Sequence, residues 1–88
     1  MIRYRVLIRG RVQGVFFRDT CQRVALKHGV NGWVRNLPDG RVEAVFEGRP
    51  EDVNRLVDWA RQGPSQAVVA DVAVLAEQPE GLSTFLIR

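Results

Sequence analysis

Apolar and polar residues alternate from Arg3 to Arg9: Tyr4, Val6 and Ile8 point one way, and Arg3, Arg5, Leu7 and Arg9 the other. That period of two predicts a strand with one buried face and one largely wet face. The period then changes. Phe17, Cys21, Val24, Ala25 and His28 recur at helical spacing, which predicts a helix from about Phe17 to His28 with Gly29 as its C-terminal cap. Gly32–Leu37 and Arg41–Glu47 read as two strands joined by Pro38-Asp39-Gly40, where proline starts the turn and glycine takes the left-handed conformation. In the second of them Val42, Ala44 and Phe46 supply the inner face, and Arg41, Glu43, Val45 and Glu47 the mostly polar one. Val53, Leu56, Val57 and Ala60 form the apolar stripe of a second helix from about Pro50 to Gln62. Pro50 suits its first position, Glu51 and Asp52 its positive end, and Gly63-Pro64 stops it. Ala67–Glu77 reads as a further strand and Ser83–Arg88 as a short last one.

The order strand, helix, strand, strand, helix, strand suggests two right-handed crossovers onto one antiparallel sheet. Each strand has a polar face, so both helices are expected to cover the other. This is the ferredoxin-like α/β sandwich: four antiparallel strands in the order 4-1-3-2, two helices on one face, and a short C-terminal strand. Tyr4, Val6, Ile8, Phe17, Val24, Val34, Val42, Phe46, Leu56 and Val72 form the expected core. No linker, repeat or low-complexity segment interrupts it, so residues 1–88 are expected to form one domain.

Composition narrows the chemistry. Formal net charge is +3, from 13 Lys and Arg against 10 Asp and Glu, and 12 of the 13 basic residues are arginine. The excess suits anionic ligands without choosing among phosphate, acidic metabolite and nucleic acid. Cys21 is the only cysteine and His28 the only histidine, so neither an internal disulfide nor a zinc site of the usual Cys/His type is available. Met1-Ile2-Arg3-Tyr4 runs straight into alternating sequence without the apolar region of a signal peptide, and no stretch reaches transmembrane length. A reducing, cytoplasmic setting is the expectation.

Gly10-Arg11-Val12-Gln13-Gly14-Val15-Phe16-Phe17-Arg18 joins the first strand to the first helix. A glycine-bracketed turn at that junction exposes backbone N–H groups beside the positive end of the helix dipole, a candidate anion cradle. Arg18 lies in the first helical turn, and its side chain leans back over the cradle, where a guanidinium can hold a phosphoryl group by two parallel hydrogen bonds. Such turns are common and many bind nothing, so the residues alone leave both readings open. Asp19 is an alternative partner for Arg18. The segment lacks the Gly-Lys-Ser/Thr of a nucleoside-triphosphate loop and the Gly-x-Gly-x-x-Gly of a dinucleotide site.

Other candidates are thin. His28 ends a helix stripe and reads as a capping residue, and Cys21 on the inner stripe reads as a structural thiol. Asp19, Glu51 and Asp52 sit at helix starts and look structural; Ser65, Ser83 and Thr84 have no base beside them. Asn36, at the end of the second strand, could cap the turn or, in the proposed fold, face the cradle and hold a water and an anion oxygen together.

Ile8–Arg18 resembles the phosphate-loop signature of the acylphosphatases. Gly32-Trp33-Val34-Arg35-Asn36, followed by Gly40-Arg41-Val42 and Gly48, resembles their second signature. The resemblance covers essentially the whole chain, in length and element order as well as motifs. It implies that Arg18 is the phosphate-binding catalytic arginine and Asn36 the water-orienting asparagine. It further implies that Arg11, Val12, Gln13, Gly14, Val15, Phe16 and Phe17 form the loop whose amides surround the phosphate, with Gln13 as an organiser. Leu37 stands where many members carry threonine, so no hydroxyl is available there.

The implied reaction is hydrolysis of an acyl phosphate to carboxylate and inorganic phosphate, with no cofactor and no metal, by a monomer acting on a small molecule away from nucleic acid and membrane. Three rivals stand beside it. Arg3, Arg5, Arg9 and Arg35 with Trp33 could line an open sheet face for nucleic acid, although the paired aromatics of RNA-binding sheets are missing. A regulatory or metal-carrier module of this fold would need a Cys-x-x-Cys for the metal, and none is present. A domain serving a larger maturation enzyme is the third, against which the end at Arg88 argues for a free-standing enzyme.

Overall fold

A computed structural model describes all 88 residues as β1 (Ile2–Arg11), α1 (Phe17–Lys27), β2 (Asn31–Asn36), β3 (Val42–Gly48), α2 (Pro50–Gln62), β4 (Val68–Glu77) and β5 (Phe85–Ile87). The sheet order is β4-β1-β3-β2-β5. β1 pairs antiparallel with β3 and β4, and β2 antiparallel with β3. The expected 4-1-3-2 core is therefore present. One neighbour differs: the C-terminal strand joins the sheet, running parallel to β2 with Gly32 opposite Phe85 and Val34 opposite Ile87. The antiparallel sheet of four strands thus becomes a mixed sheet of five. The gain is burial of Phe85, whose ring stacks on Phe46 at 6.1 Å between centroids. No helix is long and apolar enough to cross a membrane.

α1 covers β2 and β5, and α2 covers β1, β3 and β4. Val6, Ile8, Val34, Val42, Ala44 and Phe46 of the sheet meet Phe17, Cys21 and Ala25 of α1 and Val53, Leu56 and Ala60 of α2 in one core. Of the expected core residues, all are buried except Tyr4, Val24 and Val72, which are half-buried and pack against its margin. Strand β1 leaves the sheet through a bulge at Arg9 and Gly10, where Gly10 passes so close to β4 that a Cβ would meet the Val68 carbonyl oxygen at 2.2 Å. Only glycine can make that exit into the loop that follows.

The opposite sheet face is not the wet surface that the alternation predicts. Arg3 is 4% exposed and Glu47 1%. The cross-strand register sets Arg3 opposite both Glu47 and Glu77, and Arg35 opposite Glu43. Arg3 donates to Glu47 at 2.8 Å and to Glu77 at 2.9 Å, while Arg5 and Arg35 each donate to Glu43 at 2.6 Å. The guanidinium groups of Arg5, Arg35 and Arg88 lie over the Trp33 ring, 5.6, 5.3 and 4.7 Å from its centroid. Charge here marks pairing and cation–π packing rather than solvation. Three of the arginines expected on a nucleic-acid face are committed to this lattice, with Trp33 buried beneath it.

Candidate active site

The junction between β1 and α1 is pinned from below. Val12, Val15 and Phe17 turn into the core, and the Phe17 ring packs against Trp59 at 5.0 Å. Gly14 and Phe16 adopt left-handed backbone, φ 73° and 64°, while Gln13 before them and Val15 between them do not. Such an alternation of hand curls successive N–H groups toward one side. No Cβ would clash at Gly14, so its glycine answers the backbone conformation alone.

None of the amides from Val12 to Asp19 donates to a backbone carbonyl, and no side chain caps the start of α1. The loop thus presents a row of open donors at the positive end of the helix dipole. Gln13 fixes this row against the β2–β3 hairpin: its Nε2 donates to the Leu37 carbonyl at 2.8 Å and the Arg41 carbonyl at 3.0 Å. Its side chain thereby ties the loop to the hairpin.

Above the loop lies an open pocket of about 330 Å³. Val12, Gly14, Phe16, Phe17 and Arg18 line it from the loop and the helix start, and Asn36 from the end of β2. Residues 18 apart in sequence thereby share one cavity. Arg18 is exposed and makes no ion pair; Asp19, the alternative partner, is engaged instead by Arg23 at 2.9 Å, one helical turn on. Arg11 is exposed at the end of β1, and the side chains of Arg11, Gln13 and Val15 do not line the pocket.

Asn36 does not cap the turn. The hairpin closes through the Leu37 amide donating to the Arg41 carbonyl, the Gly40 amide to the Leu37 carbonyl, and the Arg41 amide to Asp39 Oδ1. Asn36 Oδ1 is buried without a hydrogen-bond partner. An unpaired buried oxygen is costly in a folded protein and points to a functional demand on it.

Asp19, weighed as a partner of Arg18, lines the pocket as well, and one pocket residue escapes sequence reasoning: Ile87 reaches the same cavity from β5. Ile87 arrives only because the last strand adds in parallel beside β2, a pairing that no local pattern announces. The other candidates stay structural: Cys21 is fully buried, burial pushes its thiol well above the usual range, and no three His, Cys, Asp or Glu side chains converge. His28 caps α1.

A sequence model of the acylphosphatase family matches residues 4–87. An acylphosphatase of Gloeobacter violaceus is 58% identical over 84 residues, 96% of this chain and 90% of that protein. One from Thermococcus kodakarensis is 57% identical over 86 residues, 98% and 94% of the two chains. The crystal structure of Bacillus subtilis acylphosphatase superposes with a TM-score of 0.97 at 38% identity, over 100% of this chain and 99% of that one. A TM-score of 0.86 relates the chain to 12% of T. kodakarensis HypF, at 31% identity. Sequence and fold agree along the full length, and the chain belongs to the acylphosphatase family, enzymes that hydrolyse acyl phosphates.

Proposed function

We propose that Arg18 and the amides of residues 11–18 hold the phosphoryl group of an acyl phosphate, and that Asn36 orients the water that attacks it. One observation carries the reading. Arg18 and Asn36, whose Oδ1 has no partner, line a single pocket together with residues of a loop whose amides donate to no backbone carbonyl.

The chemistry suits so sparse a site. An acyl phosphate and water give a carboxylate and inorganic phosphate; the P–O bond to the acyl oxygen breaks, and a new P–O bond forms to the water oxygen. A carboxylate is a weak base and leaves without a general acid. The remaining barrier is charge repulsion and the placing of the nucleophile. Fixed N–H donors and a guanidinium oppose the charge on the three transferring oxygens. Asn36 Oδ1 accepts from the water, which holds it near the line of attack. The water's proton passes to a phosphoryl oxygen. Arginine and amides supply the positive field, so turnover is expected to persist in the presence of chelator, in a monomer working in a reducing cytoplasm.

Asn36→Ala tests the assignment. A water-orienting amide predicts that kcat on benzoyl phosphate falls about a hundredfold, with a smaller change in KM because the phosphoryl contacts remain. Asn36→Asp is expected to be poor too, since it loses the donor and repels the phosphate. Intact kcat with lowered stability would make Asn36 structural.

A further inference from the structure

We infer that the Phe16 ring is the contact for the acyl half of the substrate and sets a preference for aromatic over small acyl phosphates. The inference rests on the placing of the phosphoryl group proposed above.

Phe16 is 70% exposed and its backbone is left-handed. That conformation favours glycine or asparagine, and a bulky aromatic is a rare occupant. An exposed ring returns little burial to the fold, so packing does not account for it. The loop needs the turn but not the ring. Strain of this kind that the fold does not explain is found where a residue serves a ligand. The ring lines the pocket, whose volume exceeds what a phosphoryl group needs.

The pocket has one other exposed apolar side chain, Ile87, at 39% exposure. In-line displacement separates the two. Water and leaving group occupy opposite sides of phosphorus. Asn36 marks the water side, and Ile87 lies beside it, on the strand paired with β2 and opposite Val34. Phe16 belongs instead to the loop that cradles the phosphoryl group. Its flat face offers an aromatic acyl group stacking contact that an acetyl group cannot use.

The test is the ratio of kcat/KM for benzoyl phosphate to that for acetyl phosphate, with inhibition by inorganic phosphate measured in parallel. Phe16→Asn keeps a residue that tolerates the left-handed backbone and is expected to lower the ratio about tenfold. Phe16→Tyr restores the stacking face and is expected to return the ratio to within about twofold of the parent. Ile87→Ser is expected to leave it within the same margin. A ratio unmoved by Phe16→Asn, or one that Ile87→Ser moves more, overturns the inference. Its failure is distinguishable from failure of the phosphoryl assignment, which would appear as inhibition by inorganic phosphate that is indifferent to Arg18→Ala.

Discussion

The chain turns from strand to helix twice, and the two junctions solve one problem in opposite ways. Between β3 and α2 the connection is short. Arg49 is extended, Pro50 occupies the first helical position and has no N–H to satisfy, and Glu51 and Asp52 place negative charge at the positive end of the dipole. That helix start is neutralised by its own sequence. Between β1 and α1 the loop is longer, twice left-handed, uncapped, and followed by an unpaired arginine. Its amides stay open while Val12, Val15 and Phe17 go down into the core and pin the loop from below. A fold with two similar crossovers thus has one closed junction and one whose amides stay open, and the difference lies in a few residues.

The largest expected effect comes from removing the charge at the open junction. Arg18→Ala is predicted to lower kcat/KM on benzoyl phosphate about a thousandfold or more, as for loss of an arginine that stabilises phosphoryl transfer. Arg18→Lys should be nearly as poor, since a point charge cannot replace a planar two-pronged donor. Arg18 makes no ion pair, so the melting temperature should move by less than about 2 °C. Near parental turnover in Arg18→Ala would make the two junctions functionally equivalent.

A second test separates the site from the scaffold. Burial pushes the carboxyl of Glu47 up, but the Glu80 amide, the Arg3 guanidinium and the Leu82 amide together hold it below its ordinary value. Glu43 is held down in the same way by Arg35 and Arg5 against the upward push of burial. A depressed folded pKa gives stability that is full above the unfolded value, about 4.3, and lost as pH falls through the folded one. The urea midpoint should therefore drop below about pH 4, and Glu47→Gln should flatten that acid limb while costing about 3 kcal/mol at pH 7. An unchanged acid limb in Glu47→Gln would contradict this.

How much of this was legible follows from which contacts are local. The helices, the Pro38-Asp39-Gly40 hairpin and the glycine loop are written in spacings of a few residues, and they were readable. Arg18 and Asn36 were readable as candidates, and Gln13 as an organiser, because turn chemistry and a motif both point to them. The ion-paired face was not. Arg3 looks solvent-seeking until β3 and β4 set Glu47 and Glu77 on either side of it. Nor was Ile87, whose place in the pocket depends on a parallel pairing between segments some fifty residues apart. Register between distant strands is a tertiary fact, and alternation alone does not carry it.

The smallest effect sharpens the comparison from its closed side. Asp52→Asn at the α2 start should cost about 0.5 kcal/mol of stability by weakening the dipole interaction. Turnover per folded molecule should stay within about twofold, because that junction offers an anion nothing. A comparable loss of activity would mean the two junctions are coupled.

The central claim is that the β1–α1 junction, and not its twin, receives the phosphoryl group. Titration of the ¹⁵N-labelled protein with inorganic phosphate tests it most directly. The amide resonances of Val12 to Arg18 and the Asn36 side-chain amide should shift together with one dissociation constant, while those of Arg49 to Val53 stay in place. Shifts confined to residues 49–53, or to the Arg3, Arg5 and Arg88 face, with the 12–18 amides unmoved at saturating phosphate, would contradict it.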